Sequence, residues 1–339
     1  MASIKFAVDD TRRRVQEAQG RAMKPILACV LAVFTGLALA QSFPSKPIRI
    51  LVPSPAGSSP DIRARQIGAK ISESLGQPVI VENRPGANGL IAARETVRAA
   101  PDGHTLFLAL INNAIGDALK PDPCCRLNQE LIPISRFTMT PLVMVVNPSL
   151  KAQSVKEFVE LARTKPDAIT YASGGPGSIS QLVGEWVKSE ARIKVLEVPY
   201  KAVNAEIPDL LAGVVMTAYV VPQVVVTAVK SGKLRALAVA GPSRLALLPD
   251  VPTTAEAGLP GVEAIVWNGI FAPAGTPRPV IQILHRELVK AYNAPDVKKQ
   301  VIDTGSEVAA DTPEEFAAFV RSESAKWTKV IREANIKPE

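Results

Sequence analysis

Two glycine- and serine-rich stretches carry the residue types best suited to chemistry in this chain. The first, PSPAGSSPD at 53–61, sets Ser54, Ala56, Gly57, Ser58 and Asp61 between an apolar run ending at Val52 and a helical pattern of Ala64, Ile67, Ile71 and Leu75. The second, SGGPGSIS at 173–180, sets Ser173, Gly175, Gly177, Ser178 and Ser180 ahead of Leu182, Val183, Trp186 and Val187. Glycine lets a backbone approach a ligand, serine adds a hydroxyl, and the first turn of the following helix points unpaired N–H groups outward. Together these suit an anion held by backbone donors. Each stretch also reads as a plain connecting turn, and spacing alone leaves both readings open.

Catalytic spacings do not accompany these loops. The chain has no G-x-S-x-G elbow, S-x-x-K pair, H-E-x-x-H helix or G-x-x-x-x-G-K-[ST] loop. Its 2 histidines, His104 and His285, fall in a turn and a helical pattern and read as structural. They are too few, even with the Cys124-Cys125 pair, for a zinc site, so no metal or cofactor is expected. Adjacent cysteines pair poorly with each other because the small ring strains the peptide between them. A net charge of +7 and an aromatic fraction of 5% do not describe a nucleic-acid binder.

Elements must position those loops. With 339 residues, 47% of them hydrophobic and 21% charged, the chain can form a large core in roughly two domains. Residues 26–40 form an uncharged run after Lys24 and close on Ala-Leu-Ala, which predicts a signal peptide over 1–40 with translation starting at Met23. Apolar runs at 48–52, 79–81 and 105–110 alternate with helical patterns at 61–75 and 90–99, the mark of an α/β fold with a mostly parallel, doubly wound sheet. A second series begins with a strand over 141–147 and a Ser154/Glu157 capping box, and runs through strands at 168–172, 194–198 and 234–240. Residues 262–271 then return as a strand, and Thr312, Pro313 and Glu315 open a last helix. Crossings near Pro141 and Ala264 therefore predict two lobes able to hinge, one from 42–141 with 265–339, the other from 142–264, with one loop from each at a shared cleft.

Ordered stretches along the mature chain carry a resemblance: FPSKPIRILVPSPAGSSPDIRAR, GQPVIVENRPGANG, AAPDGHTL, PLVMVVNPSL, YASGGPGSIS, VPYKA, SGKLRALAV, LPDVPTTAEAGLPG, FAPAGTP and TPEEFAAFV. In these the chain resembles the tripartite tricarboxylate transporter substrate-binding proteins, the Bug family of bacterial periplasmic receptors. The resemblance implies a two-lobed type 2 periplasmic-binding-protein fold with two crossing strands. It also implies a non-enzymatic, monomeric periplasmic receptor that delivers a small carboxylate to inner-membrane transporter subunits. Signalling to a sensor kinase would leave the same features, whereas a secreted enzyme would require a cleft chemistry these motifs do not supply. By the same resemblance, ligand carboxylates are held by backbone N–H groups and waters of the two loops rather than by a dedicated arginine, with Tyr200 and Lys201 of VPYKA beside them. Departures bear on the ligand: Ser54 and Ser58 stand where an aromatic and a glycine are usual in that segment. Tyr219, Val220 and Val221 stand where relatives carry polar residues. An apolar wall there predicts an amine-free carboxylate rather than an acidic amino acid.

Overall fold

The computed structural model describes residues 43–119, 125–200 and 204–336. Two compact units divide at Ser45/Lys46; only 43–45 of the first are described, and the fold below is that of the second. The expected signal peptide lies outside the described residues, as do Cys124 and Lys201.

Strand β1 (Ile48–Val52) leads through the first loop to α1 (Ser59–Leu75), then β2 (Val79–Asn83), a 3₁₀ turn (Ala87–Gly89) and α2 (Leu90–Val97). Then come β3 (Thr105–Leu110), α3 (Ile111–Leu119) and the long β4 (Leu131–Val146). A second series follows: α4 (Val155–Thr164), β5 (Thr170–Ser173), α5 (Ile179–Ala191), β6 (Leu196–Pro199) and α6 (Ile207–Ala212), then β7 (Thr217–Val220), α7 (Pro222–Lys230) and β8 (Arg235–Ala240). The chain returns as β9 (Ile265–Pro273), α8 (Arg278–Tyr292), α9 (Pro295–Asp303), β10 (Glu307–Val308) and α10 (Pro313–Glu333).

The sheet runs β2-β1-β3-β9-β4-β7-β5-β6, with β8 and β10 also on β4. Strand β1 is parallel to β2 and β3, and β5 is parallel to β6 and β7. Between these parallel sets, β4 is antiparallel to β9, β7 and β8. Its partner changes along its length: β9 up to Pro141, then β7 and β8 from Leu142 onward. A second link passes beside it, where Leu142 N–H donates to Ala264 O at 3.0 Å and Ala264 N–H to Ala240 O at 2.9 Å. Two half-sheets thus share one strand.

Ile48, Ile50, Leu51 and Val52 of β1 are all fully buried, as a strand covered on both faces requires. The capping box at Thr312 forms as its residues predict. Helix α10 buries Phe316 against Trp267, and Glu323 accepts from both Trp267 Nε1 (3.2 Å) and Trp327 Nε1 (3.0 Å). At α4 the box is only half formed: Ser154 Oγ caps Glu157 N–H at 3.2 Å, while the Glu157 carboxylate takes Gln153 N–H at 2.7 Å.

Three elements differ from the sequence expectation. Strand β4 begins ten residues before position 141, because pairing with β9 and β10 carries it past Pro133 with two register shifts. Residues 111–119, which show no clear pattern, form α3. The apolar run at 214–226 is divided between β7 and α7, with Pro222 at the first helical position.

Candidate functional site

The first loop is built by its own acid. Asp61, 2% exposed, accepts Gly57 N–H at 2.8 Å, Asn83 Nδ2 at 2.9 Å and Arg65 Nε at 3.0 Å. Burial alone pushes its carboxyl upward, but Arg65, the Gly57 N–H and Asn83 outweigh burial and hold it below the usual range. Asn83 Nδ2 also donates to Ser54 O at 3.0 Å, and Ser58 Oγ donates to Pro55 O at 2.6 Å and lies 3.0 Å from Ser54 Oγ. Both oxygens of Asp61, expected from sequence among the binding residues, bond within the loop and to Arg65 and Asn83. Ala56 and Gly57 remain exposed at its tip.

In the second loop a ring of polar side chains does the same work. Ser173 Oγ, 1% exposed by residue, donates to Glu197 Oε1 at 2.5 Å and accepts Gly175 N–H at 3.0 Å. Glu197 Oε2 accepts Gln181 Nε2 at 3.2 Å, and Gln181 Oε1 accepts Gly177 N–H at 2.8 Å. Ser180 Oγ takes Gly174 N–H at 2.9 Å, and Ser178 N–H goes to Gly175 O at 3.1 Å. Ser178 Oγ caps Gln181 N–H at 3.3 Å. Among the described residues, nothing outside the helix takes the first-turn N–H groups of Ile179 and Ser180 in α5. The glycine N–H groups singled out from sequence are mostly engaged within the loop, so the outward donors belong to the helix itself.

The two halves meet here. Gly177 has φ +72°, and a Cβ on it would lie 3.1 Å from Leu119 Cδ1 and 3.9 Å from Asn88 Nδ2. Asn88, at φ 52° and exposed, belongs to the ENRPGANG loop after β2. Asn113 Nδ2 donates to Asn88 O at 3.1 Å, while Asn113 Oδ1 takes Leu110 N–H at 2.8 Å. Asn113 thereby ties the end of β3 to that loop. A side chain on Gly89 would strike Asn113 Nδ2 and come within 3.0 Å of Pro53 Cβ. Asn88 and Asn113 were not among the sequence candidates; the glycine-rich run at 86–89 was their only signal.

Tyr200 sits next to the loop, its N–H on Ser173 O at 2.8 Å and its hydroxyl donating to Asp209 Oδ2 at 2.8 Å. Burial, with Asp209 adding to it, pushes that hydroxyl up to about 12. Tyr219 and Val220, expected in an apolar cleft wall, are both buried. Tyr219 is 4% exposed and packs edge-on to Tyr171, with centroids 6.3 Å apart, and Val220 is 5% exposed in the opposite apolar layer with Val143 and Val225. Strand β7 turns both side chains into the core, and partly buried Val221 is the residue that leads into α7. Among the described residues, no three His, Cys, Asp or Glu side chains are grouped to hold a metal, and no helix is long and apolar enough to cross a membrane.

Loops hydrogen-bonded into shape in advance, meeting across two halves of one sheet, suit capture of a solute. The fold is that of a two-lobed periplasmic binding protein, as its solved structural neighbours are. More narrowly, the profile of the tripartite tricarboxylate transporter family receptor matches residues 63–336, and the chain belongs to that family. Protein BugT of Bordetella pertussis is 34% identical over 300 residues, covering 88% of this chain and 92% of that one. An R. palustris protein solved with adipate has a TM-score of 0.76 at 28% identity, covering 88% of this chain and 100% of that one. MatC from Rhodopseudomonas palustris, solved with bound malate, has a TM-score of 0.73 at 30% identity, covering 85% and 100%.

Proposed function

We propose that this protein is an exported receptor that captures a small, amine-free organic carboxylate between its lobes and delivers it to a tripartite tricarboxylate-type membrane transporter. The observation that supports this reading is the nearness of Gly177 to Leu119 and Asn88, from which a Cβ on it would lie 3.1 and 3.9 Å, setting the amino terminus of α5 beside α3 and the loop after β2. A carboxylate there receives the Ile179 and Ser180 N–H groups and the positive end of the helix dipole, without any loop having to be reorganised. Preorganisation of this kind lowers the entropic cost of binding. Adipate and malate, the ligands of two relatives, are both carboxylates without an amine.

The acids nearest the two loops favour the same ligand class. Asp61, Glu197 and Asp209 each accept hydrogen bonds from the protein itself, so an ammonium group entering the cleft would leave those bonds standing and find its own charge unmatched. Burying such a cation would cost several kcal/mol. A thermal-shift and calorimetric panel of adipate, malate, glutamate and aspartate tests the reading. Adipate or malate should raise the melting temperature by a few degrees and give saturable heat, with glutamate and aspartate much weaker. A panel in which the amino acids bind best overturns the amine-free part, and one in which no carboxylate binds overturns the receptor reading.

A further inference from the structure

Helix α1 lies alongside α9. Gln66 bonds Gln300, and Lys70 pairs with Asp296 at 3.1 Å. One turn nearer the first loop, Arg63 Nη2 donates to Thr304 Oγ1 at 3.0 Å. Arg63 is 7% exposed, and among the described residues that hydroxyl is its one hydrogen-bond partner and no carboxylate pairs with it. Burial holds its pKa below the ordinary value. The contrast with Arg136 is informative: that guanidinium meets both oxygens of Asp311, at 2.8 and 3.2 Å, and lies over the Phe319 ring. A buried guanidinium has five donors and a full charge to satisfy, and a single hydroxyl leaves most of that unmet.

The corner that Arg63 reaches is a second place where the lobes touch. A Cβ on Gly305, next to Thr304, would lie 2.7 Å from Pro222 Cγ and 3.0 Å from Leu247 Cδ1, both in the other lobe. Ser306 Oγ lies 2.7 Å from Thr140 Oγ1 on the crossing strand and 3.2 Å from Thr304 Oγ1. Arg63 therefore stands where the amino-terminal part of α1, the corner after α9, the crossing strand and the start of α7 converge. Gly305 and Pro222 approach closely at this corner, where Arg63 is largely shielded from water. An anion admitted there meets a cation that has no counterion of its own.

We propose that Arg63 is a specificity-determining cation of this receptor: it pairs with one carboxylate of a dicarboxylic ligand whose other carboxylate sits at the amino terminus of α5. The proposal rests on the carboxylate-receptor reading above and departs from the backbone-only recognition that family resemblance implies. A planar guanidinium matches a carboxylate with two parallel hydrogen bonds, so it should discriminate the second carboxylate from a methyl end.

Calorimetry with adipate and hexanoate, on the wild type, Arg63→Met and Arg63→Lys, tests it. The wild type should bind adipate at least about tenfold more tightly than hexanoate. Arg63→Met should weaken adipate about tenfold or more while changing hexanoate by no more than about twofold, with Arg63→Lys intermediate. Circular dichroism checks that each variant is folded, and if the Met variant is not, the wild-type ratio and the Lys variant decide. A wild-type ratio near one, adipate binding unchanged in the variants, or equal losses for both ligands overturns the role of Arg63 and leaves the receptor reading intact. A wild type that binds neither these acids nor malate overturns both.

Discussion

Gly177, in the loop after β5, and Leu119, at the end of α3, are close enough that a Cβ on the glycine would lie 3.1 Å from Leu119 Cδ1. The positive φ of +72° at Gly177 aims the loop at that contact, and only glycine adopts this conformation without strain. Local backbone and interlobe packing are thus coupled at one residue.

Gly177→Val should therefore cost both stability and binding. Backbone strain for a β-branched residue in this region is about 1–2 kcal/mol in the folded protein, and crowding against Leu119 adds to it. Affinity for adipate or malate, measured by calorimetry, should fall roughly fivefold or more with circular dichroism unchanged. Wild-type affinity in the folded variant would show that this contact is not part of the bound state.

Asp61→Ala should loosen the first loop. It removes the acceptor for Gly57 N–H, Asn83 and Arg65 together, a loss of about 2–4 kcal/mol by urea unfolding. Since the folded-state pKa of Asp61 is depressed, its contribution is present above the ordinary carboxylate pKa and is lost as pH falls through the folded value. The gap between wild type and variant should accordingly shrink in strong acid. A gap that stays constant would assign the loss to packing rather than charge.

Asp117 works in the opposite direction. It accepts Leu127 N–H at 2.9 Å, and burial pushes its carboxyl up to about 6, with Glu130 adding to burial while the Leu127 N–H and Arg126 pull it down. The folded state binds this proton more tightly than the unfolded one, so this site stabilises the protein as pH falls from about 6 toward the ordinary 3.8. Asp117→Asn keeps an acceptor for Leu127 and removes the charge. It should raise stability at pH 7.5 by ~1–3 kcal/mol and flatten the dependence between about pH 6 and the ordinary 3.8. Chemical denaturation at several pH values checks this, and a destabilised variant at pH 7.5 would mean that the carboxylate is paired there.

Trp186 of α5 and Trp327 of α10 lie edge to face across the lobes, with centroids 6.0 Å apart. Ligand addition should shift tryptophan emission as the lobes close, and Trp186→Phe should remove most of that change. An undiminished signal in the variant would place the reporter at Trp267 or Trp327 instead.

The legible parts of the chain were those in which structure is decided within a few residues. The buried run from Ile48 to Val52, the glycine-rich loops before α1 and α5, and the Thr312 capping box follow from side-chain polarity, backbone freedom and cap chemistry acting locally. Their order predicted an α/β chain with loops at strand ends, and motif resemblance placed it among periplasmic receptors. Helix α3 was less legible, and the bonds of Asn113 to Leu110 and Asn88 tie it to β3 and the loop after β2.

Tertiary structure decided what distant residues do to one another. The amino-terminal half of β4, with Pro133, Ser135 and Arg136, becomes a strand because β9 and β10 supply its hydrogen bonds. Tyr219 reads in sequence as part of a cleft wall, and in the fold it is buried edge-on to Tyr171. Arg63 reads in sequence as one more solvated helix charge. Burial beside Thr304 removes the water around it, and a guanidinium cannot lose its proton to escape that cost, so the three-dimensional neighbourhood of a residue, more than its type, makes it a candidate for recognition.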